Sequence, residues 1–279
     1  MKIASFNAQR FGLTKVSDPA VLTSLVKIVS RYDIIVILEV VDVTGDSVRV
    51  LVEELNRVNT THHYAQQLST RLGRSRYKEQ FLFLYRDDVV DLIDCYQYDD
   101  DQVDDVDAFT REPYILYFKP HNTVLRDIML IPVRTAPNDS KKELDELYDV
   151  FLVVKEKWKT DEREEIRIRS DKNFHWLIGD NVDTMAKTSD HHAYDRIVVY
   201  GEDMLAAIVP NSAKPFNFHK EFQMTEEMVE LVSAIPFWVK KSNNGCAVVD
   251  TQQGSSRTVT ESAQVDMLNL QKENLLLEK

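Results

Sequence analysis

The run Tyr32-Asp33-Ile34-Ile35-Val36-Ile37-Leu38-Glu39-Val40-Val41 sets five apolar residues in succession, four of them β-branched, and then a carboxylate. Such a run suits a strand buried on both faces, where an ionised carboxylate is costly unless it meets a cation or a hydrogen-bonding shell. Two readings of Glu39 follow. Either it holds a cation or a polar partner, or the strand has left the core by Leu38 and the carboxylate faces water. A second short apolar run, Ile3-Ala4-Ser5-Phe6-Asn7, also ends on a polar residue. If the two strands are neighbours, Asn7 and Glu39 form half of a hard-metal site.

The rest of the composition bounds the answer without deciding it. A chain of 279 residues that is 43% hydrophobic can fill one large α/β domain or two ordinary ones. No apolar run is long enough for a membrane-spanning helix, so no membrane partner is expected. The opening Met1-Lys2-Ile3-Ala4-Ser5 lacks the apolar segment of a signal peptide, and Cys95 with Cys246 makes no disulfide framework. Taken as complete, the chain is expected in the cytoplasm. A net charge of −12 argues against a general nucleic-acid coat but leaves room for a local basic strip. The acidic stretch Asp99-Asp100-Asp101 with Asp104, Asp105 and Asp107 is either a solvated loop or a Ca²⁺ loop.

Along the chain, Gln9-Arg10-Phe11-Gly12 reads as a turn. Asp18-Pro19 then reads as an N-cap with proline at the first helical position, and Leu22, Leu25, Val26 and Val29 recur at helical spacing. That makes a β-α-β opening. Val48, Leu51, Val52 and Leu55 repeat the helical pattern, and the sequon Asn59-Thr60-Thr61 matters only in a secreted protein. Leu72-Gly73-Arg74-Ser75-Arg76-Tyr77-Lys78-Glu79 is a basic, aromatic loop, read equally as a solvated turn or as a contact for a phosphate backbone. Strands are predicted at Phe81 to Tyr85, Pro113 to Phe118 and Ile128 to Val133. A long amphipathic helix follows, marked by Leu144, Leu147, Tyr148, Phe151 and Trp158 and opened by a capping box, Ser140-x-x-Glu143.

There the pattern breaks. Lys159 to Glu165 is purely polar and charged, and no apolar strand follows a helix that should return to the sheet. Ile166 to Arg169, Phe174 to Ile178 and Ile197 to Tyr200 resume strand-like patterns. Ser242 to Ser262 is polar, turn-rich and without a core signal, and Met267 to Leu277 is compatible with a short amphipathic helix. The reading is a domain over residues 1–240 and a divergent polar tail over 241–279. The histidine pairs His62-His63 and His191-His192 sit in polar loops where neighbours point apart, so neither suits a shared metal. His121, His175 and His219 stand singly.

Several segments together resemble the deoxyribonuclease I family. They are Lys2 to Asn7, Arg31-Tyr32-Asp33-Ile34, Leu38-Glu39-Val40, Leu72-Gly73-Arg74 with Tyr77-Lys78-Glu79, Tyr96 to Asp100, Arg111-Glu112-Pro113, Leu147 to Val150 and Ala193 to Val198. The likeness runs in order through residues 1–233 and is nearest to the deoxyribonuclease-I-like members. It implies an α/β fold, a four-layer α-β-β-α sandwich, acting as a monomer on DNA phosphodiester bonds with Mg²⁺ and Ca²⁺. It further implies that Asn7 and Glu39 hold metal, that Glu79 and Asp195 each orient a catalytic histidine, and that Arg74, Tyr77 and Arg111 meet the DNA backbone. Asp99, Asp107 and Glu112 match a structural Ca²⁺ loop. Asp183-Thr184 resembles the start of a second one, with Met185 and Lys187 where oxygen ligands belong.

The departures fall on the chemistry. Where the family has a His-x-x-Pro motif, this chain has Arg134-Thr135-Ala136-Pro137, and arginine cannot shuttle a proton. Where the family has Ser-Asp-His-Tyr-Pro, it has Ser233-Ala234-Ile235-Pro236. A Gly-Asp-Phe-Asn strand is missing after Thr160, so one central strand of the fold is deleted, a pattern that a skipped exon and a misread last exon would also leave. Hydrolysis is therefore expected to be very weak or absent, with a pseudonuclease that binds cations, nucleic acid or a protein partner as the alternative. Glu79, if aimed at position 134, should form a bidentate pair with the guanidinium and plug the site.

Overall fold

The computed structural model describes residues 1–99, 108–121, 123, 127–136, 139–158, 172–179, 181–184 and 195–232, with the backbone alone for 237–240 and 246–251. The first half of the chain gives β1 (Lys2–Phe11), α1 (Leu13–Val16), α2 (Pro19–Val29), β2 (Ile34–Val40), α3 (Asp46–Val58), β3 (Tyr64–Leu68) and β4 (Gln80–Arg86). Then come β5 (Val90–Gln97), β6 (Tyr114–Pro120), β7 (Ile128–Val133), α4 (Ser140–Trp158), β8 (Phe174–Trp176) and β9 (Asp195–Tyr200). The last elements are α5 (Glu202–Ala206), β10 (Lys214–Pro215), α6 (Phe218–Phe222), α7 (Glu226–Val232), β11 (Phe237–Lys240) and β12 (Cys246–Thr251).

Two six-stranded sheets result, in the orders β10-β11-β1-β2-β4-β3 and β5-β6-β7-β12-β9-β8. The alternation along β2 shows how they stack. Ile35 and Ile37 join Leu25 and Ile28 of α2 and Leu51 and Leu55 of α3 in one core, while Ile34, Val36 and Leu38 meet Leu116, Leu130 and Val199 in a second core between the sheets. A third core sets Ile131 and Val133 against Leu147, Val150, Phe151 and Val154 of α4. This is a four-layer α-β-β-α sandwich, and β2 is buried along its whole length because both of its faces are covered.

Local chemistry accounts for the element ends. Asp18 caps α2, its Oδ1 accepting from Ala20 N–H at 2.8 Å, with Pro19 in the first turn. β1 and β2 pair in parallel and β4 runs antiparallel to β2, so the end of β1, the end of β2 and the start of β4 meet at one end of the first sheet. In the second sheet the start of β6, the end of β7 and the start of β9 gather likewise.

Four expectations change. β1 continues to Phe11 rather than turning after Asn7; its register with β2 shifts between Asn7 and Phe11, and Gln9 and Arg10 take φ values of 41° and 61° there. A bulge thus replaces the expected turn. β8 stops at Trp176. Glu143 does not close a capping box, because its carboxylate is used elsewhere, as described below. Finally, residues 246–251, read as part of a tail without a core signal, form β12 between β7 and β9. Cys246-Ala247-Val248-Val249 is short and apolar, and its polar surroundings hid a strand too brief to show periodicity. The segments Ile166 to Arg169, Met267 to Leu277, His191-His192 and Met185 to Lys187 lie outside the described residues.

Candidate active site between the sheets

Asn7 and Glu39 stand side by side, with Asn7 Nδ2 donating to Glu39 Oε1 at 2.8 Å. Glu39 is 1% exposed and its φ is 61°, a left-handed conformation that costs a non-glycine residue on the order of 1 kcal/mol or more. The bulge in β1 compensates. Arg10 N–H donates to Glu39 Oε2 at 3.1 Å, and Gln9 N–H donates to Asn7 Oδ1 at 2.8 Å. The carboxylate is therefore inside the protein and held by a polar shell, the first of the two situations the strand pattern left open.

The cation against it is an arginine. Arg134, just past β7 and 4% exposed, donates through Nη2 to Glu39 Oε1 at 2.9 Å, while its Nη1 lies 3.0 Å from Glu79 Oε2 and 3.1 Å from Oε1. Glu79, just before β4, also faces Arg111, whose Nε is 2.8 Å from Oε2 and whose Nη2 is 3.0 Å from Oε1. Arg111 is ion-paired with Glu79 but hydrogen-bonds it through Nη2 alone, and Arg134 spans two carboxylates rather than forking onto one. Two carboxylates and two guanidiniums form an alternating, neutral row. Burial pushes the Glu79 carboxyl above the ordinary glutamate range, with the two arginines opposing that push.

This arrangement does not fit a divalent cation at Asn7 and Glu39. Asn7 Oδ1 keeps a lone pair after accepting from Gln9 N–H, but the guanidinium of Arg134 lies on Glu39 Oε1, the oxygen beside Asn7, and its charge would repel a cation there.

Glu143, buried in α4, was misread from the sequence. Its Oε1 accepts from Thr110 N–H at 2.8 Å and its Oε2 from Ala136 N–H at 2.9 Å. It ties the segment that carries Arg111 to the segment that carries Arg134. The helix opening instead uses the Asp139 carbonyl, which accepts from Glu143 N–H at 2.9 Å. Arg10 was also missed; beyond its backbone bond to Glu39, its guanidinium lies 5.9 Å from the Tyr77 ring centroid. A polar residue one turn into a helix and a basic residue three places past the apolar run ending at Asn7 were the only signals available.

The basic loop is closed at its base by paired bonds between Leu72 and Glu79, 2.8 and 2.9 Å. Gly73 makes the closure possible: at φ +125° a Cβ would meet Tyr77 O at 2.9 Å. Arg74, Ser75 and Arg76 are exposed at the tip. Tyr77 is 40% exposed, and burial together with the Glu79 and Glu39 charges pushes its hydroxyl up to about 12, so it stays a donor.

Asp195 is buried at the start of β9, where its N–H donates to Thr184 Oγ1 at 3.2 Å. Thr184 thus braces β9. The β5–β6 register, Gln97 opposite Tyr114 and Tyr98 N–H on Pro113 O at 3.0 Å, brings the segments of Asp99 and Glu112 together. Asp107 lies outside the described residues. The described histidines have acidic partners away from this row: His62 with Asp88, His63 with Asp87, His121 with Asp91, His175 with Glu202 and His219 with Glu226.

Residues 4–163 match the Endonuclease/Exonuclease/phosphatase family, and the chain belongs to it. Deoxyribonuclease gamma of Homo sapiens is 38% identical over 248 residues, 81% of this chain and 81% of that protein. Deoxyribonuclease-1 of Rattus norvegicus is 41% identical over 252 residues, 84% of this chain and 88% of that protein. Within the family the chain is therefore a deoxyribonuclease-I-like member. Among solved structures, the endonuclease/exonuclease/phosphatase from Bacteroides vulgatus shares the fold with a TM-score of 0.59 at 13% identity, over 86% of this chain and 98% of that one.

Proposed function

We propose that this chain engages the DNA backbone as a deoxyribonuclease-type protein whose hydrolytic step is severely impaired. The observation that carries the reading is the guanidinium of Arg134 lying between Glu39 and Glu79, 2.9 and 3.0 Å away. It takes the place of a proton carrier and cannot move a proton, a loss worth roughly 10² to 10⁴ in rate. It also neutralises the two carboxylates that would otherwise bind a cation or orient a base. The exposed Arg74 and Arg76 with the partly exposed Tyr77 support contact with phosphates; Arg111 reaches them only by leaving Glu79.

Nicking of supercoiled plasmid by the full chain with Mg²⁺ and Ca²⁺ tests the reading. The expected rate is at least a hundredfold below that of rat Deoxyribonuclease-1, on the scale of one lost acid/base group. A rate within tenfold would overturn it. No nicking, with duplex DNA retained at low salt and released by Arg74→Ala with Arg76→Ala, is the outcome that the same ion-paired row favours for a pseudonuclease. Arg134→His alone is not expected to restore cleavage, because Ala234-Ile235 still stands where a second histidine would be needed.

A further inference from the structure

A helix that leaves the end of one strand ordinarily delivers the chain to a parallel strand in the same sheet through a right-handed crossover. α4 leaves the end of β7, yet the next described strand, β8, lies at the far edge beyond β9. The place beside β7 is filled from the other end of the chain. β12 runs parallel to β7, with Ala247, Val248, Val249 and Asp250 opposite Leu130, Ile131, Pro132 and Val133. It is also antiparallel to β9, from Cys246 opposite Tyr200 to Thr251 opposite Asp195.

We propose that Cys246–Thr251 is a donor strand, supplied in the same chain, that closes the second sheet between β7 and β9, where the charged sequence after α4 carries no strand pattern. Without it β7 and β9 would each expose an unpaired edge in the middle of a sheet, and Arg134 and Asp195 would stand on two separate fragments. The register suits the role. Ala247 and Val249 share a face with Leu130, Ile197 and Val199, all of the inter-sheet core, and Val248 shares the opposite face with Ile131 and Val198 of the α4 core. Because both faces are apolar, hydrophobicity alone would tolerate a slip of one residue. The charges along the strands agree with the register: Asp250 stands opposite Arg196, and a slip would set it opposite Asp195 or Ile197. The register also brings Asp250 and Thr251 to the end of the sheet where Arg134 and Asp195 lie. Ser242-Asn243-Asn244-Gly245 before the strand and Gln252-Gln253-Gly254 after it are the breakers that bound a strand of this length.

The inference is independent of whether the site cuts DNA, and its test uses the full chain. In hydrogen exchange read by mass spectrometry, amides of 247–250 should exchange at least about a hundredfold more slowly than in a free peptide, in step with 128–133 and 195–200. Exchange at the free-peptide rate would overturn the proposal. Tyr200→Cys supplies a partner directly opposite Cys246, and Cα atoms of such a pair lie about 4.5–5.5 Å apart, within disulfide reach. Oxidation should yield a 200–246 disulfide within single chains, while Val198→Cys, opposite Val248, should not capture Cys246. Capture by position 198 in preference to 200, or links only between chains, would overturn the in-chain register. Val248→Pro should raise exchange in 128–133 and 195–200 more than tenfold and leave 34–38 and 81–85 unchanged, whereas Val248→Ile should change neither. A change confined to 246–251 would refute the closing role; if Val248→Pro does not fold, the first two measurements decide.

Discussion

The two sheets supply opposite halves of the site and come together differently. The first contributes Asn7, Glu39 and Glu79 from β1, β2 and the start of β4, three adjacent strands that the chain lays down within its first 86 residues. The second contributes Arg134 and Asp195 from β7 and β9, which are joined only through β12 near the other end of the chain. Glu39 and Glu79 thus sit on a locally assembled frame, and the arginines that neutralise them, Arg111 and Arg134, arrive from the sheet that is closed at long range. A defect in the first sheet should appear as lost charge balance, and a defect in the second as lost connection.

The largest effect should come from unbalancing the row. Glu79→Ala leaves Arg111 and Arg134 facing each other in a buried site without their shared counter-charge, and is expected to cost about 3–5 kcal/mol in urea unfolding. If the loss is below about 1 kcal/mol, the row behaves as a surface network and the contrast between the sheets fails. Next is Glu143→Ala, which strands Thr110 N–H and Ala136 N–H and should cost about 2–3 kcal/mol on the scale of two buried, unmet donors. Glu143→Gln should cost less, since one acceptor remains.

These two residues also show how far the sequence could be read. The β-α-β opening was legible because Asp18-Pro19 is a local cap and the 34–38 run admits only a doubly buried strand. Asn7 and Glu39 were legible because both end such runs. Glu143 was recognised as a helix-opening residue but not as a clamp, because its partners at 110 and 136 lie on loops whose approach depends on the packed sheet. Arg10 depends on a bulge, which no periodicity encodes. That Arg134 meets Glu79 followed from the substitution, whereas its reach to Glu39 required both sheets to be in place. β12 was invisible for the same reason: six residues in a polar stretch are too few to show a period, and their place is defined only by the gap between β7 and β9.

Removing the arginine sharpens the comparison. Arg134→Ala frees Glu39 and Glu79 from the second sheet and should make stability depend on added cation. Its unfolding free energy should rise by about 1–3 kcal/mol when Mn²⁺ or Mg²⁺ is raised to saturation, following the logarithm of cation over Kd. The unsubstituted chain, with the guanidinium in place, should respond by less than a third as much. Equal responses in the two proteins would show that the cations bind elsewhere.

Lys15 reports on the same contact with the smallest expected signal. It lies in α1, donates to the Leu231 carbonyl, and has its ammonium pKa lowered to about 8 by burial, with Glu39 opposing the shift. Between about 8 and the ordinary lysine value the unfolded chain binds the extra proton, so this residue's penalty is full below pH 8 and fades as pH rises to about 10.5. Relative to Lys15→Met, the unsubstituted chain should therefore gain stability over that window, by on the order of 1 kcal/mol once solvent screening is allowed for. In Arg134→Ala the Glu39 charge is no longer neutralised, so the Lys15 pKa should climb and the gain should shrink. A pH-dependent difference that is identical with and without Arg134 would mean that the guanidinium does not govern the field at Glu39, and that the two halves of the site are electrostatically separate.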